Sequence, residues 1–307
     1  MRSRGLLLPF GLWLAIFILI PLGLVVYYGL TVETPVPYTQ IERADGSPAY
    51  RLEDGTVVEH EPFETQTSFS LSNFRRLADE MYLKLLWRSL YIALITTAIC
   101  LLIGYPVSMI LTSRGFTKHR NLLLMLIILP MWMNFLLRTY AWMSLLEKTG
   151  LINQLLAALG RERPIIFLGE GAVILGMVYN FLPFMVLPLY SVMEKIDHSL
   201  LDAAADLGAN PGKAFWRITL PFSLPGVLEG ITMVFVPAVT TFVIPQLMGS
   251  GKVPLVGDII QQQFTRANDW HFGSAMSLLV MVIVLAFMYA LNRADHEKMG
   301  EKEVRVW

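Results

Sequence analysis

The 307-residue sequence contains little charge and almost no cysteine. Only 16% of its residues are Asp, Glu, Lys or Arg, whereas 55% are hydrophobic, a balance that excludes an ordinary soluble domain of this size. The single cysteine, Cys100, excludes a disulfide within the chain. The formal net charge is zero, so nothing in the composition suggests a nucleic-acid partner.

Charge is missing altogether from six long stretches of the chain. Each stretch has about 17 residues or more, the length that an α-helix needs to cross the hydrocarbon core of a bilayer. Barrel strands would be shorter and would alternate apolar with polar residues. The sequence therefore predicts an all-α integral membrane protein in contact with lipid. Its six transmembrane helices are expected at 6–30, 89–112, 121–145, 168–190, 224–247 and 272–292.

The orientation of the chain is predicted from its loops. The first stretch is longer than the core of a secretory signal and lacks a small-x-small exit, so we expect an uncleaved helix over 1–30. With the N-terminus inside, the inner segments carry 12 of the 24 Lys and Arg residues. The outer segments carry the other 12, so the count alone does not decide the orientation. The outer segments are longer in total, however, and the positive-inside rule weakens in long loops. We expect both termini, including the tail 293–307, to be cytoplasmic.

The segment 31–84 predicts a long extracytoplasmic insertion. From Thr31 to Glu80 it contains ten acids and four bases, a balance of −6. Asp54-Gly55 lies between two extended stretches and predicts a hairpin near 50–58. An acidic surface of this kind would dock a partner or concentrate a cationic solute. A solvated face is the interpretation that we favour, because charge runs commonly do no more than interact with water.

The loop 196–222 between the fourth and fifth predicted helices contains many helix signals. Ser199 and Asp202 fit a capping box, with Asp197 as the alternative cap, and apolar residues then recur at helical spacing. Gly208 stands where a left-handed helix stop is expected. The sequence therefore predicts a short helix that ends in a sharp bend at Gly208.

A second short helix is predicted after this bend. Asn210-Pro211 supplies its cap and first residue, and Pro221 and Pro225 are expected to close it before the fifth transmembrane helix. The letters GANPGKA, from Gly208 to Ala214, faintly resemble a phosphate loop, but the glycine spacing is too short and Ala214 replaces the Ser or Thr that would hold Mg²⁺. No other segment suggests a nucleotide site, so any energy that the protein uses would come from another subunit or from a gradient.

Several side chains within the predicted helices are candidates for a solute path, since a central charge costs about 2.5–3.5 kcal/mol in hydrocarbon. Trp132 and Tyr140 would form a cation–π surface or belong to an aromatic belt. Glu229 would line the path, or else reach the interface or pair with a base. The remaining candidates, which would otherwise tie helices together, are Asn134, Asn180 and Thr241. The histidines show no metal-ligand spacing and no catalytic constellation is evident, so we expect neither a metal site nor enzyme activity.

The bent loop is similar to a known signature. DAAADLGANPGKAFWRITLPFSLPG resembles the EAA signature of binding-protein-dependent, type I ABC importer permeases, with Asp202 where the family usually has Glu. The other matching positions are Ala203, Ala204, Gly208 and Leu220-Pro221. ILPMWMNFLLRTYAWM, VYNFLPFMVLPLY, FVIPQLMGSG and NDWHFGSAMS resemble the spermidine/putrescine branch, which often has an acid near FVIP, where this chain has Thr241 and Gln246.

The resemblance covers about 85–292 and implies the type I importer permease fold, in a bacterial inner membrane, for that core. It implies that the EAA loop is a coupling helix that docks on an ATPase through Asp202, Ala203, Ala204, Leu207 and Gly208. The implied partners are a second permease subunit, two cytoplasmic ATPase subunits that bind ATP and Mg²⁺, and an extracytoplasmic binding protein. This chain would hold no cofactor itself, and the implied solute is a polyamine.

Three alternatives stay open at this point. The chain would transport another small solute within the same importer class, or it would be a gradient-driven secondary transporter, which normally shows an inverted repeat and ion-binding residues at mid-membrane. A membrane-embedded enzyme would need ionisable residues that converge at one depth.

Overall fold

The computed structural model describes residues 9, 11–35, 38–42, 48–52, 57–58, 65–160 and 168–304. The chain divides into two compact units, Met1–Leu83 with Ile260–Met281 and Lys84–Ile259 with Val282–Trp307.

Helices make up most of the described chain. The long helices are α1 (Gly11–Leu30), α3 (Glu80–Thr112), α7 (Glu170–Met193), α10 (Leu220–Thr240) and α13 (Trp270–Val304). The shorter helices are α2 (Ser72–Leu77), α4 (Arg120–Ile128), α5 (Phe135–Leu146), α6 (Leu151–Ala158), α8 (His198–Asp206), α9 (Pro211–Ala214), α11 (Val243–Met248) and α12 (Val256–Gln262). Five helical spans among the described residues are long and apolar enough to cross a membrane, and a bent pair supplies a sixth. The predicted helical membrane fold is therefore confirmed.

The third predicted helix, 121–145, is wrong as a single helix. Arg120–Trp132 and Phe135–Ala158 form two arms that meet at 95°. Pro130 lies in the tight 3₁₀ turn that ends the first arm. Asn134 then caps α5, since its side-chain oxygen accepts hydrogen bonds from the Leu136 and Leu137 N–H groups at 2.8 and 3.4 Å. A helix stop followed at once by a helix cap produces the bend.

The fifth predicted helix, 224–247, begins earlier than expected. α9 continues through a π-turn, Phe215–Thr219, into α10, so the prediction that Pro221 and Pro225 close the short helix is wrong. The Leu220 N–H donates to the Phe215 carbonyl, five residues back. A wider turn of this kind rearranges the hydrogen bonds that a proline would interrupt. The result is one continuous span, Pro211–Thr240.

The same predicted helix also ends too late. α10 stops at Thr240, Thr241 is extended (φ −64°, ψ 142°), and α11 begins at Val243. Pro245 has no N–H to donate to the Thr241 carbonyl, and its ring would collide with that carbonyl in a continuous helix. The fifth transmembrane helix is therefore broken near its predicted outer end.

In the larger unit, α7 and α10 pack closely. A Cβ at Gly226 would lie 3.0 Å from the Pro188 carbonyl oxygen, and one at Gly230 would lie 2.7 Å from the Met185 Sδ. Small residues let membrane helices approach each other in this way. The interface joins the two helices that flank the loop 196–222 and so fixes both ends of that loop.

In the smaller unit, the described residues of the acidic segment from Thr31 to Phe69 form strands. These are β1 (Thr31–Pro35), β2 (Tyr38–Glu42), β3 (Pro48–Leu52), β4 (Val57–Val58) and β5 (Thr65–Phe69). β1 pairs antiparallel with β5, and β2, β3 and β4 form an antiparallel sheet. Tyr50 pairs with Val58 at the predicted hairpin, whose turn residues Asp54 and Gly55 lie outside the described residues.

Polar contacts tie the β1–β5 pair to helices of the same unit. His271 Nδ1, at the start of α13, lies 3.0 Å from both the Tyr28 carbonyl oxygen and the Thr31 hydroxyl. Asn73 of α2 donates to the Thr31 carbonyl at 3.0 Å. These hydrogen bonds satisfy backbone groups at the point where α1 becomes a strand.

Candidate functional site

The loop between α7 and α10 folds as two short helices. Asp197 caps α8 by accepting a hydrogen bond from the Ser199 N–H at 2.9 Å, so the alternative cap is used. Hydrogen bonding to the ionised form lowers the pKa of Asp197 below its ordinary value. Asn210 caps α9 by accepting from the Lys213 N–H at 2.8 Å, as predicted.

The bend between these helices is at Gly208, which has φ +77°. The Gly208 N–H donates to the Ala205 carbonyl and the Ala209 N–H to the Ala204 carbonyl, both at 2.9 Å. This pair of bonds is the Schellman arrangement, which confirms the predicted left-handed stop. A Cβ at Gly208 would meet no atom within 4 Å, so the requirement for glycine comes from the backbone conformation alone.

The apolar side of α8 is uncovered. None of the residues of α8 is buried. Leu207, directly after the helix, is 88% exposed and Leu200 is 43% exposed. Ala203 is exposed and Ala204 is half-buried. An apolar stripe on a short helix is normally buried against another surface, so this face is suited to a partner.

Asp202 orients α8 against the neighbouring loop. Its carboxylate accepts two hydrogen bonds from the Arg114 guanidinium, Nη1 to Oδ1 at 3.2 Å and Nη2 to Oδ2 at 2.7 Å, and these bonds raise the pKa of Arg114. Arg114 lies in the turn between α3 and α4. Because the two side chains are 65% and 57% exposed, the pair contributes geometry more than stability.

Three predicted path residues lie at or just after the bend between α4 and α5. Trp132 is 88% exposed and Tyr140 is 48% exposed. Asn134 uses its side-chain oxygen to cap α5. Its role in the fold is therefore to start a helix, which accounts for a polar residue at this depth without a solute contact.

The other three predicted path residues lie in α7, in α10 and directly after α10. Asn180 is 2% exposed and donates from Nδ2 to the Gly176 carbonyl at 2.8 Å, while its Oδ1 has no partner in the part of the chain that the structure describes. Glu229 is exposed and lines a groove of about 570 Å³ between α10 and α13. Thr241, twelve residues further on, lies about 18 Å away along the helix direction.

The structure adds a carboxylate that sequence reasoning missed. Asp258 of α12 is only 7% exposed, and its Oδ1 accepts a hydrogen bond of 2.6 Å from Gln246 Nε2. A Cβ on the neighbouring Gly257 would collide with the Thr240 carbonyl oxygen and lie 2.8 Å from the Thr241 carbonyl oxygen. Asp258 therefore lies beside the break of the fifth helix. The available signal was that Asp258 is the only charged residue between Lys252 and Arg266.

Comparison with known proteins agrees with these features. The family model described as "Binding-protein-dependent transport system inner membrane component" matches residues 104–296. The spermidine/putrescine transport system permease protein PotB of Haemophilus influenzae is 42% identical over 228 residues, which cover 74% of this chain and 79% of that protein. The protein of the same name from Escherichia coli K12 is 42% identical over 229 residues, covering 74% and 83%.

A solved structure has a similar fold. It is a bacterial ABC transporter involved in the import of the acidic polysaccharide alginate, with a TM-score of 0.72, 14% identity, and coverage of 96% of this chain and 95% of that one. The predicted ABC importer permease fold is thereby confirmed. The family match spans the bent loop, both broken helices and more than half of the sequence, and so the chain belongs to the family of binding-protein-dependent transport system inner membrane components.

Proposed function

We propose that the chain is a permease subunit of an ATP-driven importer for polyamines such as spermidine and putrescine. In this proposal, α8 is the element through which a cytoplasmic ATPase acts on the membrane helices. The observation that carries it is the uncovered apolar side of α8, held at a fixed angle by the left-handed Gly208. The solute class is supported by the names of the two PotB relatives.

The proposed assembly contains this chain, a second permease subunit, two ATPase subunits that bind ATP and Mg²⁺, and an extracytoplasmic binding protein. Dependence on a binding protein is the property that describes the family. In the proposed orientation both termini and α8 lie in the cytoplasm, and the acidic segment 31–84 lies outside. This chain performs no bond chemistry.

The geometry of the loop suggests how ATP binding would move the transmembrane helices. Ala203, Ala204 and Leu207 would dock on the ATPase, and the two alanines would lose almost no side-chain entropy on docking. The Arg114–Asp202 pair would hold α8 in a docking-competent orientation. Because α9 and α10 form one continuous span, a displacement of α8 would be transmitted through Gly208 into a transmembrane helix. ATP binding would thereby shift the balance between inward-facing and outward-facing states.

A matched pair of leucines tests the docking surface. Leu207 and Leu159 have similar exposures, 88% and 84%, but only Leu207 belongs to the coupling loop. Leu207→Asp places a charge on the docked face, where burial without a partner is unfavourable. We expect this variant to lose the ATPase subunit during purification and to lose uptake of radiolabelled spermidine. Leu159→Asp should retain both.

Two results would contradict the proposal in separable ways. A Leu207→Asp importer that keeps its ATPase and its uptake rate would refute the docking role of α8. A wild-type importer that keeps its ATPase but takes up neither spermidine nor putrescine would refute the solute class and leave the docking role intact.

A further inference from the structure

We infer that Asp258 is the group with which this chain binds a protonated amine of its solute, with Gln246 positioning the carboxylate. The inference deepens the proposed function, because it assigns a recognition site for a cationic solute to the break between α10 and α11. Of the six path candidates, only Thr241 belongs to this site, through its backbone carbonyl oxygen, and none of them supplies its carboxylate.

The first argument is the state of the Asp258 carboxylate. Buried carboxylates are nearly always paired with a cation or fully hydrogen-bonded, because transfer of a charge out of water is costly. Asp258 is 93% buried, yet among the described residues its only side-chain hydrogen bond is the one from Gln246 to Oδ1. No Lys or Arg in the described ranges forms an ion pair with it. Oδ2 therefore remains available for a cationic donor.

The second argument is the backbone beside this carboxylate. The last carbonyls of a helix have no intrahelical donors and carry partial negative charge. In the described structure no N–H or O–H donates to the Thr240 or Thr241 carbonyl oxygen. Gly257, the residue before Asp258, packs directly on both oxygens. Broken membrane helices bind cations at such C-terminal ends in other transporters.

The third argument is access and chemistry. Thr240 and Gln246 are exposed and Thr241 is half-buried, so the cluster opens to the surface of the chain although the carboxylate itself is buried. An ammonium group has three donors and no acceptor, and it matches one carboxylate oxygen and two carbonyl oxygens. An inorganic monovalent cation has the same preference for oxygen, and we assign the site to the amine of the solute because a cationic solute is the one that the relatives' names suggest.

The test uses the complete importer in cells that lack other polyamine uptake, with initial rates measured over a range of radiolabelled spermidine concentrations. Asp258→Asn removes the charge but keeps an oxygen to accept the hydrogen bond from Gln246. We expect the KM for spermidine to rise about tenfold to a hundredfold, the loss typical of a hydrogen bond to a charged group. The maximal rate, the amount of assembled importer and its ATP hydrolysis should stay near wild type.

Two further variants separate charge from structure. Asp79→Asn makes the same change at an exposed carboxylate and should leave the KM unchanged. The double variant Gln246→Glu with Asp258→Asn moves the carboxylate to the other side of the same hydrogen bond and should recover most of the lost affinity. A purely structural role of the hydrogen bond would be served equally well by Asp258→Asn alone.

Each remaining outcome decides the question. A wild-type KM in an assembled Asp258→Asn importer overturns the inference. If Asp258→Asn fails to assemble, the double variant is measured in its place. A double variant that fails to assemble, or that assembles without uptake, also overturns the inference. Loss of wild-type uptake when choline replaces Na⁺ in the medium assigns the site to an inorganic cation and overturns the assignment to the solute. Absence of any polyamine uptake by the wild type refutes the proposed function itself.

Discussion

The conformation of Gly208 predicts that a small change in the free energy of the bent loop has a large effect on the coupling of ATP hydrolysis to uptake. Its φ of +77° lies in the left-handed region, and no atom lies within 4 Å of a Cβ placed there. A Cβ at this position would therefore meet no neighbour, and the cost expected for Gly208→Val is that of the backbone conformation. An L-residue in the left-handed region costs about 1–2 kcal/mol, which reduces the population of the bent loop relative to alternatives about 5–30-fold. Valine, being β-branched, lies at the upper end of this range.

The expected phenotype is hydrolysis without uptake. In proteoliposomes that contain the complete importer and its binding protein, the amount of spermidine transported per ATP hydrolysed should fall at least about fivefold in Gly208→Val. Membrane insertion should be unchanged, because the packing of α7 on α10 does not involve this residue. The measurement combines radiolabelled spermidine uptake with phosphate release in the same preparation.

Two substitutions in the same loop serve as controls. Gly208→Asn should retain most of the coupling, because asparagine tolerates the left-handed region better than other side chains. Gly212→Ala should be neutral, since a Cβ there would meet only Asn210 Oδ1 at an ordinary 3.6 Å. If Gly208→Val transported as much spermidine per ATP hydrolysed as the wild type, the coupling role of the bend would be refuted.

Two further predictions concern stability. Gly226→Ala forces a Cβ to within 3.0 Å of the Pro188 carbonyl oxygen, so the melting temperature of the purified importer should fall by an amount equivalent to about 1–3 kcal/mol. Gly23→Ala, where a Cβ would meet nothing within 4 Å, should leave it unchanged. Asp197→Ala should speed hydrogen exchange at the first amides of α8. Because the pKa of Asp197 is lowered in the folded chain, its cap is present above the ordinary aspartate pKa and is lost as the pH falls through the lowered value. The difference in hydrogen-exchange rate between Asp197→Ala and the wild type should therefore vanish in acid. A difference in rate that persists in acid would contradict the assigned cap.

The bent loop could be predicted because all of its signals are local. A cap, an apolar stripe, a glycine stop and an Asn-Pro restart lie within fifteen residues, and each acts on its own neighbours. The choice of Asp197 over Ser199 as the first cap depended on geometry, and so did the continuation of α9 into α10 past Pro221 and Pro225. The exposure of Leu207 depends on how the loop packs in three dimensions, which the sequence could not show.

The broken helices could not be predicted from hydropathy, because a kinked apolar stretch has the same composition as a straight one. Pro130 with Asn134, and Pro245 four residues after Thr241, were the available signals. Prolines inside membrane helices are frequently tolerated, however, and Pro225 lies within α10 without ending it. Asp258 was missed for a different reason, since its contact with Gln246 spans twelve residues and joins two separate short helices, α11 and α12.

The bend after Trp132 has an electrical consequence. The arm Arg120–Trp132 is about 20 Å long, whereas the hydrocarbon layer is about 30 Å thick. An arm of this length that stood along the membrane normal would leave about 10 Å of the hydrocarbon layer for other parts of the protein to fill. The electrostatic barrier to an ion that crosses a membrane falls as the low-dielectric layer of the membrane becomes thinner. A multiply charged molecule that passed beside such an arm would then cross a narrower insulating layer than the bilayer around it.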